Sequence, residues 1–246
     1  MRAGDAAAVS AATMRQLALA LSTEPAATFA NFVPGRNAEA VQALRALASG
    51  AASERFIYLW GAPGSGRTHL LRAVVHAAQE TGRAAFYLAA PVQETDLVTL
   101  DGDAVVALDD AEQLDAGGQG ALFALYNRIR EAAGALVVAG DAAPAALKLR
   151  PELATRLGWG LVYEVHALSD EEKAEAMQAR AAERGFVLSA DAQAYLLRHG
   201  RRDLPSLLAL VDRIDRHSLE AQRAVTLPLV REVLRSAQGA REAAGD

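Results

Sequence analysis

The chain has 246 residues, a formal net charge of −5, 52% hydrophobic but only 5% aromatic residues, and no cysteine. That length suits one domain, or a core domain with a small satellite, and leaves ample chain for a buried core. The absent cysteines exclude disulfides and thiolate metal sites, no Lys/Arg cluster forms the basic face of a duplex-binding or membrane-surface protein, and no apolar run reaches the roughly 18–20 residues of a membrane helix.

Residues 1–24 are rich in small side chains with no sustained period, and read as a flexible tail ending at Glu24-Pro25. Asp5, Arg15 and Gln16 break the apolar run below the length of a signal core, so a cytoplasmic protein is expected. A helix is expected from Asn37 to about Ala48, stopped near Gly50. Short β runs alternating with helices follow: "RFIYLW" (55–60), the helix from Arg67 to Glu80, then "AAFYLAA" (84–90), "AVVALDD" (104–110), "ALVVAG" (135–140) and "LVYEV" (161–165). Buried strands alternating with helices predict a parallel α/β sheet. A complete strand lies between the first strand's helix and the acidic strand, which by analogy of fold points to the additional-strand class of P-loop NTPases. After residue 168 the strands stop. "SDEE" is a capping box, with Ser169 as N-cap and Glu172 three residues on, and Gly185 closes that helix. Further helices are expected from Ser189 to just before Gly200, and over about 203–219 and 226–236. The expected division is a tail (1–24), an α/β nucleotide-binding domain (25–167), a small helical lid (168–237) and a second tail (238–246).

The chemistry centres on "WGAPGSGRTHLL" (60–71). Gly61, four residues, Gly66, one residue and Thr68 is the spacing of a phosphate-binding loop. Gly61, Gly64 and Gly66, with Pro63 and Ser65 between them, let backbone N–H groups turn toward an anion at a helix N-terminus. Thr68 would place a hydroxyl on Mg²⁺, and Arg67 stands where such loops carry lysine. A plain glycine-rich strand–turn–helix corner is the alternative for this stretch alone. "VVALDDAEQL" (105–114) supplies the partner: Asp109 at a strand end can hold the Mg²⁺ shell opposite Thr68, and Asp110 can orient a water. Its bland alternative is an acidic turn. The two motifs together, in this order, predict nucleotide binding.

"TFANFVPGRNAEAVQAL" (28–44) followed by "IYLWGAPGSGRTHLLRAV" resembles the opening of the AAA+ domain of the DnaA replication-initiator family. "ALVVAGDAAPAAL", "LATRLGWGLVYEVHALSDEEKAEAMQARAAERGF" and "RAVTLPLVREVL" resemble blocks of its regulatory Hda-type members, and the likeness spans about residues 28–236. The resemblance implies an AAA+ P-loop NTPase core with a five-stranded parallel sheet followed by a helical lid. It implies that Asn31, Phe32 and Val33 meet adenine and ribose, with His69 following the phosphate loop. It puts Asp141 at the first-sensor position, Arg202 at the second sensor with Arg201 one register away, and Arg156 at the arginine finger that serves a neighbouring subunit's nucleotide. Read without the family, Arg156 complements a helix C-terminus, and Arg201 and Arg202 are solvated.

Hda-type proteins also carry arginine in the loop. Arginine keeps the positive charge but replaces a compact ammonium with a wide planar fork, so a site holding ADP and hydrolysing ATP weakly or not at all is expected. "QLALAL" (16–21) resembles the clamp-binding peptide of this group, with Gln16, Leu17, Leu19 and Leu21 as its anchors. The start of an alanine-rich helix is the alternative for that hexamer. The implied function is negative regulation of replication initiation by an ADP- or ATP-bound, Mg²⁺-dependent adaptor. Such a protein docks on the DNA-loaded sliding clamp, the β subunit of DNA polymerase III, and stimulates hydrolysis of ATP held by DnaA. Self-association is compatible with this; sequence-specific DNA binding and membrane binding are not expected. The competing class is a self-standing AAA+ ATPase, such as a helicase loader or a DnaA paralogue.

Overall fold

In a computed structural model of the chain, residues 26–201 and 203–242 are described, with side chains only to residue 237 in the last helix. The proposed clamp-binding residues Gln16, Leu17, Leu19 and Leu21, and the second-sensor residue Arg202, lie outside the described residues. Five parallel strands, β1 (Phe56–Trp60), β2 (Ala85–Ala89), β3 (Val105–Asp109), β4 (Ala135–Gly140) and β5 (Leu161–Glu164), form one sheet in the order β2-β3-β4-β1-β5. β4 therefore separates the phosphate-loop strand β1 from the acidic strand β3, as the additional-strand class requires.

Both faces of the sheet are covered, which is why β4 and, up to its terminal Asp109, β3 read as apolar runs; every residue of either strand is buried. Side chains alternate between the faces with period two. Ile57, Leu59, Ala107 and Val137 join the core under α1 (Ala38–Ser49) and α2 (Arg67–Glu80). Tyr58, Val106, Leu108 and Val138 join the core under α3 (Glu94–Val98), α4 (Ala116–Glu131) and α5 (Pro151–Leu157). Truncating any of these buried leucines to alanine costs about 2–5 kcal/mol. α1 ends as expected, with Gly50 in the left-handed region at φ 77°.

Asn37 is buried to 3% exposure and must be satisfied there. Its Nδ2 donates to the His166 carbonyl at 2.9 Å and its Oδ1 accepts from the His166 N–H at 2.8 Å, tying the entry segment to the chain just past β5. Beyond that point come α6 (Asp170–Glu183), α7 (Ala190–His199), α8 (Leu204–Ala221) and α9 (Leu227–Glu242), packed around Met177, Leu196, Leu207, Val211, Ile214 and Val230. Both hydrogen bonds of the Ser169–Glu172 capping box are made, at 2.7 and 3.1 Å. Asp203 caps α8 by accepting from the Ser206 N–H at 2.9 Å. Among the described residues no helix is long and apolar enough to cross a membrane.

Candidate functional site

The phosphate loop leaves the carboxyl end of β1 and enters α2 at Arg67. Gly64 and Gly66 have φ of 79° and 104°, conformations that favour glycine, so the peptide N–H groups can turn inward. A Cβ at Gly64 would meet nothing within 4 Å, whereas at Gly66 it would press on the Phe32 ring at 2.8 Å. The cradle is open on one side and roofed by Phe32 on the other, with Pro63 on its exposed rim. Two buried polar atoms in it have no hydrogen-bond partner: Ser65 Oγ and Arg67 Nη1. Orphaned buried donors are costly, and these two are supplied by the loop built to receive an anion. The residues fit a nucleotide phosphate.

Opposite the loop, Asp109 is only 2% exposed at the end of β3. Its Oδ2 accepts from Thr68 Oγ1 at 2.6 Å, so the two residues expected to hold Mg²⁺ are in direct contact. A hydroxyl and a carboxylate are oxygen donors suited to Mg²⁺. Among the described residues no group of three or more His, Cys, Asp or Glu side chains could hold a metal by itself. This donor set therefore fits a cation shared with a phosphate. Asp110 takes a left-handed conformation, φ 55° and ψ 45°, just past the strand. Burial raises its carboxyl above the ordinary carboxylate range; Asp109 and Asp141 raise it further, and Arg67 opposes them. The Asp141 N–H donates to Glu112 at 3.2 Å.

The sequence reading missed three residues here. Tyr87 Oη donates to Asp109 Oδ2 at 3.1 Å, and Tyr58 Oη donates to the Ala142 carbonyl at 2.9 Å. Burial, then Glu112 and Asp141, push the Tyr58 phenol well above its ordinary value, so it stays a donor. Asp110 and the neutral Tyr58 phenol lie within electrostatic reach of Arg67, and Glu112 lies with Asp141 in the neighbourhood of Tyr58. Strand parity could have flagged Tyr87: it pairs with Ala107, and Asp109 lies two residues on, facing the same side.

The entry loop is braced from within. Asn31 Oδ1 accepts from the Thr28 N–H at 2.9 Å and from Thr28 Oγ1 at 3.0 Å, and Asn31 Nδ2 donates to the Ala26 carbonyl at 3.0 Å. Its amide thus holds the loop, while half-buried Phe32 and Val33 present the apolar surface. His69 lies 5.4 Å from the Phe32 ring, centroid to centroid, and its Nε2 donates to the Thr28 carbonyl at 2.9 Å. Burial lowers the His69 pKa, Arg72 lowers it further, and the bond to Thr28 opposes them. In the lid, Arg201 Nε pairs with Asp203 Oδ2 at 3.0 Å.

Arg156 lies elsewhere. It sits in the last turn of α5 with its guanidinium 4.0 Å from the Trp159 ring and 5.9 Å from those of Phe123 and Tyr126. Tyr126 in turn packs against Phe56, the first residue of β1, at 4.3 Å. The phosphate loop follows the last residue of that strand, and a strand advances about 3.3 Å per residue. Arg156 therefore flanks the opposite end of β1 from its own nucleotide loop. It lines an open groove of about 350 Å³ with Phe123, Pro151, Glu152, Thr155 and Trp159, and its Nη1 is buried without a hydrogen-bond partner.

Comparison with known proteins agrees with this architecture. The model of the bacterial DnaA ATPase domain matches residues 23–100, and that of the Hda lid domain matches residues 170–234. Domain III of the replication initiation protein DnaA from Thermotoga maritima superposes with a TM-score of 0.69 at 19% identity, covering 86% of this chain and 97% of that one. A point mutant of RuvB from the same organism gives 0.63 at 16% identity over 85% and 72% of the two chains. DnaA from Aquifex aeolicus bound to AMPPCP gives 0.62 at 20% identity over 80% and 67%. At these identities the structures speak for the fold, and the two sequence models, falling in order on the nucleotide core and the lid, speak for the family. The chain is an AAA+ protein of the DnaA/Hda family, with a DnaA-type nucleotide core and an Hda-type lid.

Proposed function

We propose that the chain is a negative regulator of replication initiation: a nucleotide-bound adaptor that docks on the DNA-loaded sliding clamp and stimulates hydrolysis of ATP held by DnaA. The observation that carries this reading is Arg156, a guanidinium with an unpartnered buried nitrogen, in an open groove at the end of β1 away from the chain's own phosphate loop. A cation in that place cannot serve its own nucleotide and is available to another protein's. Guanidinium supplied in trans stabilises charge developing on a transferred phosphoryl group.

The chain's own site then has a structural task. Gly64, Gly66 and the start of α2 would cradle the phosphates, with Arg67 supplying a positive charge to them. Thr68 and Asp109 would hold Mg²⁺, whose charge would offset that of the phosphates. A planar fork suits a diphosphate better than the bridging position a lysine ammonium takes between β and γ, so ADP is the expected resident and turnover is slow. Gln16, Leu17, Leu19 and Leu21 provide the clamp contact. A self-standing ATPase is the competing reading, favoured by the direct Thr68–Asp109 pair and by Asp110 beside it.

The test uses the full chain, DnaA loaded with labelled ATP, and clamp assembled on DNA. The proposal expects ATP on DnaA to be converted faster when clamp and this chain are both present, and the triple change Gln16→Ala, Leu17→Ala and Leu19→Ala to abolish co-migration with the clamp. Brisk turnover by the chain alone, with no effect on DnaA, would favour the self-standing ATPase.

A further inference from the structure

The carboxylate of Asp109 is more heavily engaged than a metal-holding acid needs to be. Its Oδ2 accepts two hydroxyls, from Thr68 at 2.6 Å and Tyr87 at 3.1 Å, and its Oδ1 accepts the Asp110 N–H at 3.0 Å. An ionised carboxyl offers about four lone-pair directions, so these three donors leave a single one, on Oδ1. Thr68 and the Asp110 N–H belong to the common machinery of such a site. Tyr87 does not: it reaches across from β2, the strand beyond β3.

Tyr87 is itself held in place. The Arg72 guanidinium, from α2, lies 4.9 Å from its ring centroid, and the ring packs against the core beneath that helix. A phenolic O–H is a donor at neutral pH, and here it points to Asp109 Oδ2. A fixed ring with a permanent donor can lock a carboxylate rotamer. Such outer partners of metal-holding groups orient the ligand and tune its basicity.

We propose that Tyr87 is a positioning residue for the divalent-cation site: its hydroxyl fixes the Asp109 carboxylate against Thr68, so that the one open lone-pair direction faces the cation's shell. This rests on the reading that Thr68 and Asp109 hold Mg²⁺ beside the nucleotide. The Thr68 proton continues to serve Oδ2 when the Thr68 oxygen faces a cation, and the Tyr87 bond keeps the carboxylate from turning as it does so.

The experiment is calorimetric titration of ADP into the full chain, once with excess Mg²⁺ and once with EDTA, for the natural protein and for Tyr87→Phe. That substitution removes only the hydroxyl and keeps the ring under Arg72. The expected result is that the gain in ADP affinity conferred by Mg²⁺ falls about tenfold in the variant, at the lower end of what losing such a partner costs. Affinity in EDTA and the melting temperature should stay close to the natural protein's. An unchanged Mg²⁺ gain overturns the proposal. Equal losses with and without Mg²⁺, together with a lower melting temperature, also overturn it, because Tyr87 would then only support the fold. No Mg²⁺ gain in the natural protein would instead sink the assignment of Thr68 and Asp109, and the Tyr87 proposal with it.

Discussion

Arg67 and Arg156 each bury a terminal guanidinium nitrogen that has no hydrogen-bond partner, and their surroundings differ in nearly every other respect. Arg67 opens α2 at the carboxyl end of β1, within the electrostatic reach of Asp110 and of the Tyr58 phenol, in a loop whose backbone is shaped for phosphate. Arg156 closes α5 beside the first residue of β1, faced by Trp159, Phe123 and Tyr126, in a groove open to solvent. A buried guanidinium nitrogen left unsatisfied is costly. The first region can satisfy it with a nucleotide of its own. In the second the neighbours are aromatic rings and an open groove, and a group arriving from outside would meet the guanidinium there.

Substitutions at these two places should therefore separate two nucleotides. The largest expected effect is Arg156→Ala, which removes about 10³–10⁵ of the stimulated rate of hydrolysis on DnaA. Arg156→Lys should rescue it poorly, since a point charge lacks the planar fork. Next comes Arg67→Ala: a hydrogen bond to a charged group is worth about 1.5–3 kcal/mol, so ADP affinity should fall roughly tenfold to a hundredfold by calorimetry. Equal affinity in that variant would remove Arg67 from the phosphate site and collapse the contrast.

Trp159→Ala should be milder. The cation–π contact is worth about 0.5–2 kcal/mol, so stimulation should fall about twofold to thirtyfold while ADP binding is unchanged. A matching loss of ADP affinity would show that the groove and the loop are not separate. The smallest effect concerns His69. Its pKa is depressed in the fold by burial, so the stability tied to its neutral form is present above its ordinary value of 6.5 and is lost as pH falls through the lower, folded value. His69→Gln should flatten the fall in melting temperature below pH 6.5, and an unchanged acid slope would place that sensitivity on other groups.

Much of the loop region was legible in the sequence, and less of the groove. Glycine spacing fixes a phosphate loop because few residues other than glycine take φ of 79° and 104° at Gly64 and Gly66. The acidic strand end is as explicit, and the Ser169–Glu172 box is a local signal with a local result. α4 was hidden because Gly117, Gly118 and Gly120 fill its first turns like a loop; Asp115 starts it regardless, accepting from the Gly118 N–H at 2.7 Å. α3 was missed because five residues leave no period to read. Tyr87 and Trp159 meet their partners through tertiary packing. Tyr87 does so across neighbouring strands, and Trp159 through the turn between α5 and β5, which folds it back onto Arg156. Arg156 itself was legible only through family resemblance, since one arginine near a helix end carries no signal of its own.

The central claim is that Arg156 acts on a nucleotide that this chain does not bind. The most direct measurement follows labelled ATP on DnaA in single turnover, with clamp loaded on DNA and saturating ADP, comparing the natural chain with Arg156→Ala and Arg67→Ala. The account predicts that Arg156→Ala binds ADP and the clamp normally yet leaves ATP on DnaA intact, whereas saturating ADP restores stimulation by Arg67→Ala. Hydrolysis at the natural rate with Arg156→Ala would contradict it.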